Sequence, residues 1–100
     1  MSAPKKLKPA EIKKKLAKLD GWDINAGETQ LSKTFPFGSF MLGLAFTAKI
    51  AVHAEVMEHH PDLELSYGKV KVKLSTHDVK GLTNADFELA ERIDGIKQRI

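Results

Sequence analysis

The chain has 100 residues, of which 42% are hydrophobic and 29% are charged, and it contains no cysteine. This composition is typical of a globular protein of one domain, and it excludes a disulfide-stapled module and a cysteine-ligated zinc site. No apolar run approaches the about eighteen residues of a membrane span, because Lys49 and His53 interrupt the richest one. The start of the sequence lacks the apolar core of an export signal, so we expect a cytoplasmic location.

The net charge of +3 is unevenly distributed. Residues 1–20 hold seven lysines and two carboxylates, a local charge of +5, whereas the rest of the chain sums to −2. Such a segment can attract nucleic acid or anionic lipid, but a solvated helix face behind a frayed terminus explains the same charges more simply. Because only Trp22 follows as a stacking partner, the sequence gives little support for nucleic-acid binding. Residues 1–8 are predicted to be a flexible basic tail.

The first half of the chain predicts a helix followed by two strands. Apolar side chains recur with helical spacing over residues 9–19, after a proline at a plausible helix start. Residues 22–25 and 29–35 have the alternation of short strands, joined by a turn at 26–28. The sequence therefore opens with a helix and a pair of adjacent strands.

A second helix is predicted from about Phe40 to Glu58, and its apolar surface is wider than one stripe. A helix of this kind usually packs against a sheet on one side and against another partner, often a second subunit, on the other. We therefore expect a homo-oligomer, although a fully buried core helix would show the same pattern. The apolar positions are Phe37, Met41, Leu44, Ala48 and Ala51, widened by Phe40, Val52 and Val56.

The region after Pro61 predicts a β-hairpin with a two-residue loop at Gly68-Lys69. In this register Tyr67 lies opposite Val70, and a favourable charge pair forms on the other face. A slip of one residue would place apolar side chains opposite polar ones and would break every one of these pairs. The remaining predicted partners are Leu65 with Val72, Leu63 with Leu74, Glu64 with Lys73, and Asp62 with Ser75.

The last helix is predicted to start at Thr83, because Thr83 and Asp86 have the spacing of a capping box. The complete order is α-β-β-α-β-β-α. Hairpin connections favour antiparallel pairing, so the sequence predicts a single α+β domain over residues 1–100. Its four-stranded, mostly antiparallel sheet would be covered on one face by three helices.

Three histidines come together at one end of the predicted hairpin. His59 and His60 precede its first strand and His77 follows its second strand, while Glu55 lies one helical turn before His59. The cluster is compatible with general acid/base catalysis, with a metal site, or with a polar helix end that only closes the fold. Adjacent histidines diverge at a helix end, which is a poor arrangement for joint ligation of one metal. No thiol nucleophile, Gly-x-Ser-x-Gly elbow, phosphate-binding glycine loop or dinucleotide fingerprint is present.

The spacing of this cluster resembles the pterin-4a-carbinolamine dehydratases. The residues that carry the resemblance are Glu55-x3-His59-His60-Pro61-x5-Tyr67-x9-His77-x8-Asp86, with Gly21-Trp22, Phe35-Pro36-Phe37, Ser75-Thr76 and Gly81-Leu82 around them. The resemblance implies dehydration of 4a-hydroxytetrahydrobiopterin to quinonoid dihydrobiopterin. This step recycles the cofactor of aromatic amino acid hydroxylases, and the resemblance implies no metal and no added cofactor.

The resemblance also implies roles for individual residues. His59 and His77 would be the acid/base pair, His60 would bind and orient the pterin, and Glu55 would hold His59. Further pocket residues would be Glu58, Ser75, Thr76 and Asp78. The signature residues Pro61, Tyr67 and Asp86 each have a sufficient structural explanation, respectively a helix end, a hairpin turn and a helix cap, and we interpret them as structural.

A second class of function also follows from the resemblance. Animal relatives of this family serve as dimerisation cofactors of a homeodomain transcription factor, so the chain could be a protein-binding module of the same fold. The broad apolar helix is compatible with such a partner and equally with self-association between copies of the chain.

Overall fold

Helices and strands alternate along the chain as the sequence pattern predicts. The computed structural model describes residues 5–100. Its elements are α1 (Pro9–Leu16), β1 (Asp23–Ile24), β2 (Leu31–Pro36), α2 (Phe40–Met57), β3 (Asp62–Ser66), β4 (Lys69–Leu74), a 3₁₀ turn (His77–Val79) and α3 (Asn84–Gln98). The predicted α+β class and element order are confirmed. The 3₁₀ turn is an addition that the sequence pattern did not indicate.

The four strands form one antiparallel sheet in the order β1-β2-β4-β3. Alternation of side chains gives this sheet one apolar face, because residues that share a face recur every second position. The three helices pack on that face. The buried strand residues are Leu31, Phe35, Val70, Val72 and Leu74, and they join Phe46, Ile50, Leu89, Ala90 and Ile93 of the helices in one core.

The β3–β4 hairpin has a different register from the predicted one. Leu65 lies opposite Val70, and Leu63 lies opposite Val72, so the predicted pairs that involve Tyr67, Leu65, Leu63 and Asp62 are wrong by two residues. The loop consists of Tyr67 and Gly68, and Gly68 takes the positive φ of +84° that this turn requires. A shift of two residues keeps every side chain on its face, and the apolar pattern therefore cannot distinguish the two registers.

The predicted charge pair across this hairpin survives the change of register. Lys73 Nζ lies 2.7 Å from Glu64 Oε2, although the residue directly opposite Glu64 is Lys71. Asp62 lies opposite Lys73 and not opposite Ser75 as predicted. The ion pair is thus diagonal, a contact that long side chains reach readily in antiparallel sheets.

Helix α2 lies across the sheet and is only partly covered. Ser39 caps it, since Ser39 Oγ accepts a hydrogen bond from the Leu42 amide at 3.2 Å. Its inner face is buried against the sheet, where an added Cβ at Gly43 would lie 3.0 Å from Leu65. On the outer face Met41, Val52 and Val56 are 69%, 63% and 71% exposed. The wide apolar surface predicted from the sequence therefore continues around the uncovered side of the helix.

By length and composition alone, α2 could cross a membrane. Its 18 residues have a mean hydropathy of 1.4, in spite of Lys49 and His53, on which the contrary expectation rested. Core helices of globular domains pass the same test. Gly43, Phe46, Ile50 and Ala54 are buried, and Phe46 and Ile50 belong to the domain core.

The basic N-terminal segment is partly anchored to the domain. Residues 1–4 of the predicted tail lie outside the described residues. Leu7 is buried in the core, and its amide donates a hydrogen bond to the Leu82 carbonyl at 2.8 Å. Helix α1 then begins with a capping contact of 3.0 Å from the Lys8 amide to Glu11 Oε1. A flexible tail over all of residues 1–8 therefore does not describe Leu7.

Candidate active site

A buried carboxylate at the start of α3 organises one end of the molecule. Asp86 is fully buried, and its Oδ2 accepts hydrogen bonds from the Thr83 amide at 2.9 Å and from Thr76 Oγ1 at 2.7 Å. The hydroxyls of Thr76 and Thr83 lie 2.9 Å apart. The predicted capping box is confirmed. Asp86 does more than cap the helix, however, because its second oxygen faces a histidine.

That histidine is His59, which the end of α2 aims towards α3. Glu58 takes the left-handed conformation, with φ +53° and ψ +41°. The Glu58 amide donates to the Glu55 carbonyl at 3.2 Å, and the His59 amide donates to the Ala54 carbonyl at 3.0 Å. These two bonds form a Schellman motif, in which the chain reverses direction after a helix. His59 Nε2 consequently lies 2.6 Å from Asp86 Oδ1.

The His59–Asp86 contact is shielded from water, with side-chain exposures of 13% and 0%. The hydrogen bond that His59 donates to Asp86 raises the pKa of His59, burial opposes this rise, and the negative charge of the carboxylate adds to it. The protonated imidazole is therefore favoured beside Asp86. A cationic histidine held in a fixed orientation is suited to donate a proton near neutral pH.

Glu55 does not hold His59 as predicted. Glu55 Oε2 lies 2.6 Å from His60 Nε2, and these two side chains are 75% and 63% exposed. The prediction assumed that the helix continued through His59, whereas α2 ends at Met57. The left-handed Glu58 removes His59 from the helix face that carries Glu55.

His77 lies beside a cleft of about 320 Å³ at the end of β4. Ser75 and Thr76 line the same cleft, as the resemblance implied. A bridge between Thr76 and Gly81, with 2.8 Å from the Thr76 amide to the Gly81 carbonyl, closes the loop that carries His77. Thr76 links this cleft to the buried pair, since its hydroxyl bonds to Asp86.

The structure therefore brings together only part of the predicted site. His59 and Thr76 meet at Asp86, while Ser75 and His77 share the cleft with Thr76. The predicted site residues outside the cleft lining and the Asp86 network are Glu55, Glu58, His60 and Asp78, all of which are exposed. Within residues 5–100, no three His, Asp or Glu side chains are grouped so that they could hold a metal ion.

Several lining residues escaped sequence reasoning. Thr29, Gln30 and Lys80 line the cleft, but no local pattern connects the start of β2 with the loop after β4. Asp86 was interpreted as a helix cap only. Its place as the last residue of the spaced signature was the signal that could have identified it as the partner of His59.

Comparison with known proteins identifies the family. The family model described as pterin 4 alpha carbinolamine dehydratase matches residues 5–96. The chain belongs to this dehydratase family. A relative from Roseiflexus castenholzii, whose name as a pterin-4-alpha-carbinolamine dehydratase is provisional, is 44% identical over 90 residues, or 90% of this chain and 95% of the relative. A provisionally named dehydratase of Sulfolobus acidocaldarius is 42% identical over 92 residues, or 92% and 99% of the two chains.

Solved structures agree with membership of the dehydratase family. A transcriptional coactivator/pterin dehydratase from Brucella melitensis matches with a TM-score of 0.88 and 32% identity, over 93% of this chain and 99% of that one. A pterin dehydratase-like protein, described as a RuBisCO assembly factor in the alpha-carboxysome, shares the fold with a TM-score of 0.66 and 24% identity, over 77% and 89% of the two chains. In this dehydratase-family chain, the spaced signature forms one buried and one exposed imidazole–carboxylate pair.

Proposed function

We propose that the chain is a lyase that dehydrates 4a-hydroxytetrahydrobiopterin to quinonoid dihydrobiopterin and water. The observation that carries the proposal is the buried 2.6 Å contact between His59 and Asp86, linked through Thr76 to the cleft of His77. The cleft volume of about 320 Å³ is within the range of small-molecule sites. Family membership supports a pterin as the substrate.

In the proposed reaction the bond between C4a and its hydroxyl breaks as a ring nitrogen forms a double bond to C4a. The leaving hydroxyl takes a proton from an acid and departs as water, while the ring nitrogen gives its proton to a base. His59 is the acid: Asp86 holds its Nε2, so Nδ1 is the nitrogen left for the substrate. His77 is the base. Proton transfer of this kind typically contributes about 10²–10⁴-fold in rate.

The other predicted site residues would act on binding. His60, with Glu55, would orient the pterin from the exposed side, and Ser75 and Thr76 would contact the ring within the cleft. Glu58 and Asp78 would approach from the rim. As proposed, the reaction uses no metal and no added cofactor. It serves cytoplasmic recycling of the pterin cofactor of an aromatic amino acid hydroxylase.

We further propose that copies of the chain associate through the outer face of α2, as a dimer or tetramer. The exposed side chains of Met41, Val52 and Val56 support this, because a contiguous apolar surface of this kind is usually covered. Val52→Glu should convert the assembly to monomers in sedimentation velocity. If Val52→Glu and the parent chain sediment alike, this face is not the interface.

Protein binding is a second proposed function. The same exposed helix face could receive another protein, and the Brucella melitensis relative is described as a transcriptional coactivator as well as a pterin dehydratase. Binding of this kind would not need His59 or His77. A chain that binds a partner equally well with both histidines replaced by alanine would separate this function from catalysis.

The test of the dehydratase proposal uses enzymatically generated 4a-hydroxytetrahydrobiopterin, whose ultraviolet absorbance decays as water leaves. The parent chain should accelerate the decay, and His59→Ala with His77→Ala should remove the acceleration. Lys14→Ala, an exposed change on α1, is the matched control and should leave the rate unchanged. Failure of the parent chain to accelerate the decay at any concentration would overturn the proposal.

A further inference from the structure

A groove with cationic walls lies between α2 and α3, outside the cleft of His77. Two adjoining clefts of about 270 and 200 Å³ form it, and both are lined by His53, Ile96 and Arg99. Lys49 belongs to the first cleft and Arg92 to the second. Among residues 5–100, the charged side chains that line the two clefts are those of Lys49, Arg92 and Arg99, and none of the lining residues is acidic.

One cation of the groove is already held in place. Arg92 donates from Nη1 to His53 Nδ1 at 3.3 Å, and its Nη2 lies 3.1 Å from Glu88 Oε2. These two contacts fix the guanidinium between the helices, and a fixed fork loses less side-chain entropy when it binds an oxyanion. Arg92 therefore has a fixed orientation in the groove, and Glu88 offsets part of its charge.

The other two cations, Lys49 and Arg99, form no ion pair within the described residues 5–100. Lys49 lies on α2 and Arg99 directly follows α3, so the two charges approach the groove from opposite walls. An anion between them would be attracted from both sides.

The groove also has room for a ligand. A Cβ added at Gly95 would meet no atom within 4 Å, so the ridge of α3 is interrupted where the second cleft opens. Ile96 forms an apolar, buried part of the lining of both clefts. Apolar surface beside the cations lowers the local dielectric constant and strengthens their attraction for an anion.

We propose that the α2–α3 groove binds a small polyphosphate anion. Phosphate oxygens match the fork of arginine, and two connected clefts that share Arg99 suit two linked phosphoryl groups better than one. None of the residues assigned to dehydration lines the groove. Success or failure of the dehydratase proposal therefore leaves this inference unaffected.

The test is isothermal titration of the full chain with inorganic pyrophosphate, with orthophosphate and citrate as comparison ligands. We expect one saturable site for pyrophosphate, with affinity at least about tenfold higher than for orthophosphate or citrate. Lys49→Ala with Arg99→Ala should weaken the binding about tenfold or more. Lys14→Ala should not change it, because that lysine lies on exposed α1.

Substitutions at Gly95 test whether pyrophosphate binds in the groove, and they do so without removing a cation. Gly95→Ala puts a methyl group into open space and should bind pyrophosphate normally, whereas Gly95→Glu places a carboxylate among the cations and should abolish binding. Both replacements favour the helix over glycine, so folding is preserved. Three results would overturn the proposal: no saturable heat up to about 10 mM pyrophosphate, equal affinity for citrate, or unchanged binding by Gly95→Glu.

Discussion

The two imidazole–carboxylate contacts at this end of the molecule have the same length and opposite surroundings. His59 and Asp86 meet at 2.6 Å with almost no water contact, and His60 and Glu55 meet at 2.6 Å where both side chains are largely exposed. Judged by distance alone, the two contacts would be expected to contribute equally to stability. Burial separates them, since water screens the exposed pair and a buried carboxylate cannot replace a lost partner with solvent. The buried pair is therefore expected to govern stability and proton donation.

The strongest way to break the buried pair is Asp86→Asn. The change removes a charge that binds His59, Thr76 and the Thr83 amide, and leaves the imidazolium without its counter-ion. We expect the free energy of unfolding to fall by about 3 kcal/mol. Urea unfolding followed by fluorescence of Trp22, the only tryptophan, measures it. A loss below about 0.5 kcal/mol would mean that the contact contributes nothing to stability.

Glu55→Gln is the matched change in the exposed pair. It also replaces a carboxylate by an amide opposite a histidine, but at a site where water already solvates both groups. The free energy of unfolding should change by less than about 0.5 kcal/mol, the usual size for exposed ion pairs. If the two amide substitutions destabilise the chain equally in the same urea series, burial does not distinguish the pairs.

Substitution of the two neighbouring histidines compares the pairs in catalysis. His59→Gln removes the proposed proton donor and should lower kcat by about 10²–10⁴-fold. His60→Gln removes a group proposed to orient the substrate and should act mainly on KM. Initial rates of 4a-hydroxytetrahydrobiopterin decay over a range of concentrations separate the two effects. A larger kcat loss for His60→Gln would reverse the assignment of roles.

The pH dependence of stability sharpens the comparison further. The hydrogen bond to Asp86 raises the pKa of His59 above its unfolded value, which is about 6.5. The folded chain therefore binds the proton more tightly, and this contribution is fully present below about pH 6.5. It is lost as the pH rises through the higher folded pKa. Unfolding free energies between about pH 6 and 9 should fall, and His59→Gln should flatten that fall.

A further effect concerns Glu58, the residue just before the two histidines. Glu58 is left-handed, a conformation that is unfavourable for a residue with a Cβ. Glu58→Gly should stabilise the chain by about 0.5–1 kcal/mol, because glycine adopts this conformation without steric cost. The same variant tests the proposed binding role of the Glu58 side chain. A raised KM with a higher melting temperature would support that role, whereas an unchanged KM would remove Glu58 from the site.

Sequence reasoning succeeded where a pattern had only one structural solution. The element order, the broad apolar surface of α2 and the Thr83–Asp86 cap all follow from local spacing. It failed in the hairpin, because registers two residues apart leave the same side chains on the same face. Local spacing also could not show that one carboxylate caps a helix and binds His59 from a distant segment.

The exchange of partners at Glu55 has a similar cause. Spacing along the chain assumed a continuous helix, and no glycine or asparagine at position 58 indicated the left-handed reversal that ends it. The loop after β4 was missed for the same reason. Lys80 is also left-handed, and the 3₁₀ turn before it, which includes His77, has no local sequence signal. These two departures, unlike the hairpin register, lie at the candidate site, and both involve non-glycine residues with positive φ.

The shared carboxylate makes the first turn of α3 a reporter of imidazole charge. Asp86 receives the Thr83 amide on Oδ2 and faces His59 on Oδ1, so a change in the charge of the ring alters the field at that amide. The Thr83 amide resonance should therefore titrate together with His59, although threonine itself carries no ionisable group. A substrate that takes the proton from His59 would produce the same signal. Turnover could then be followed from the backbone amide of Thr83, which is not among the residues that line the cleft.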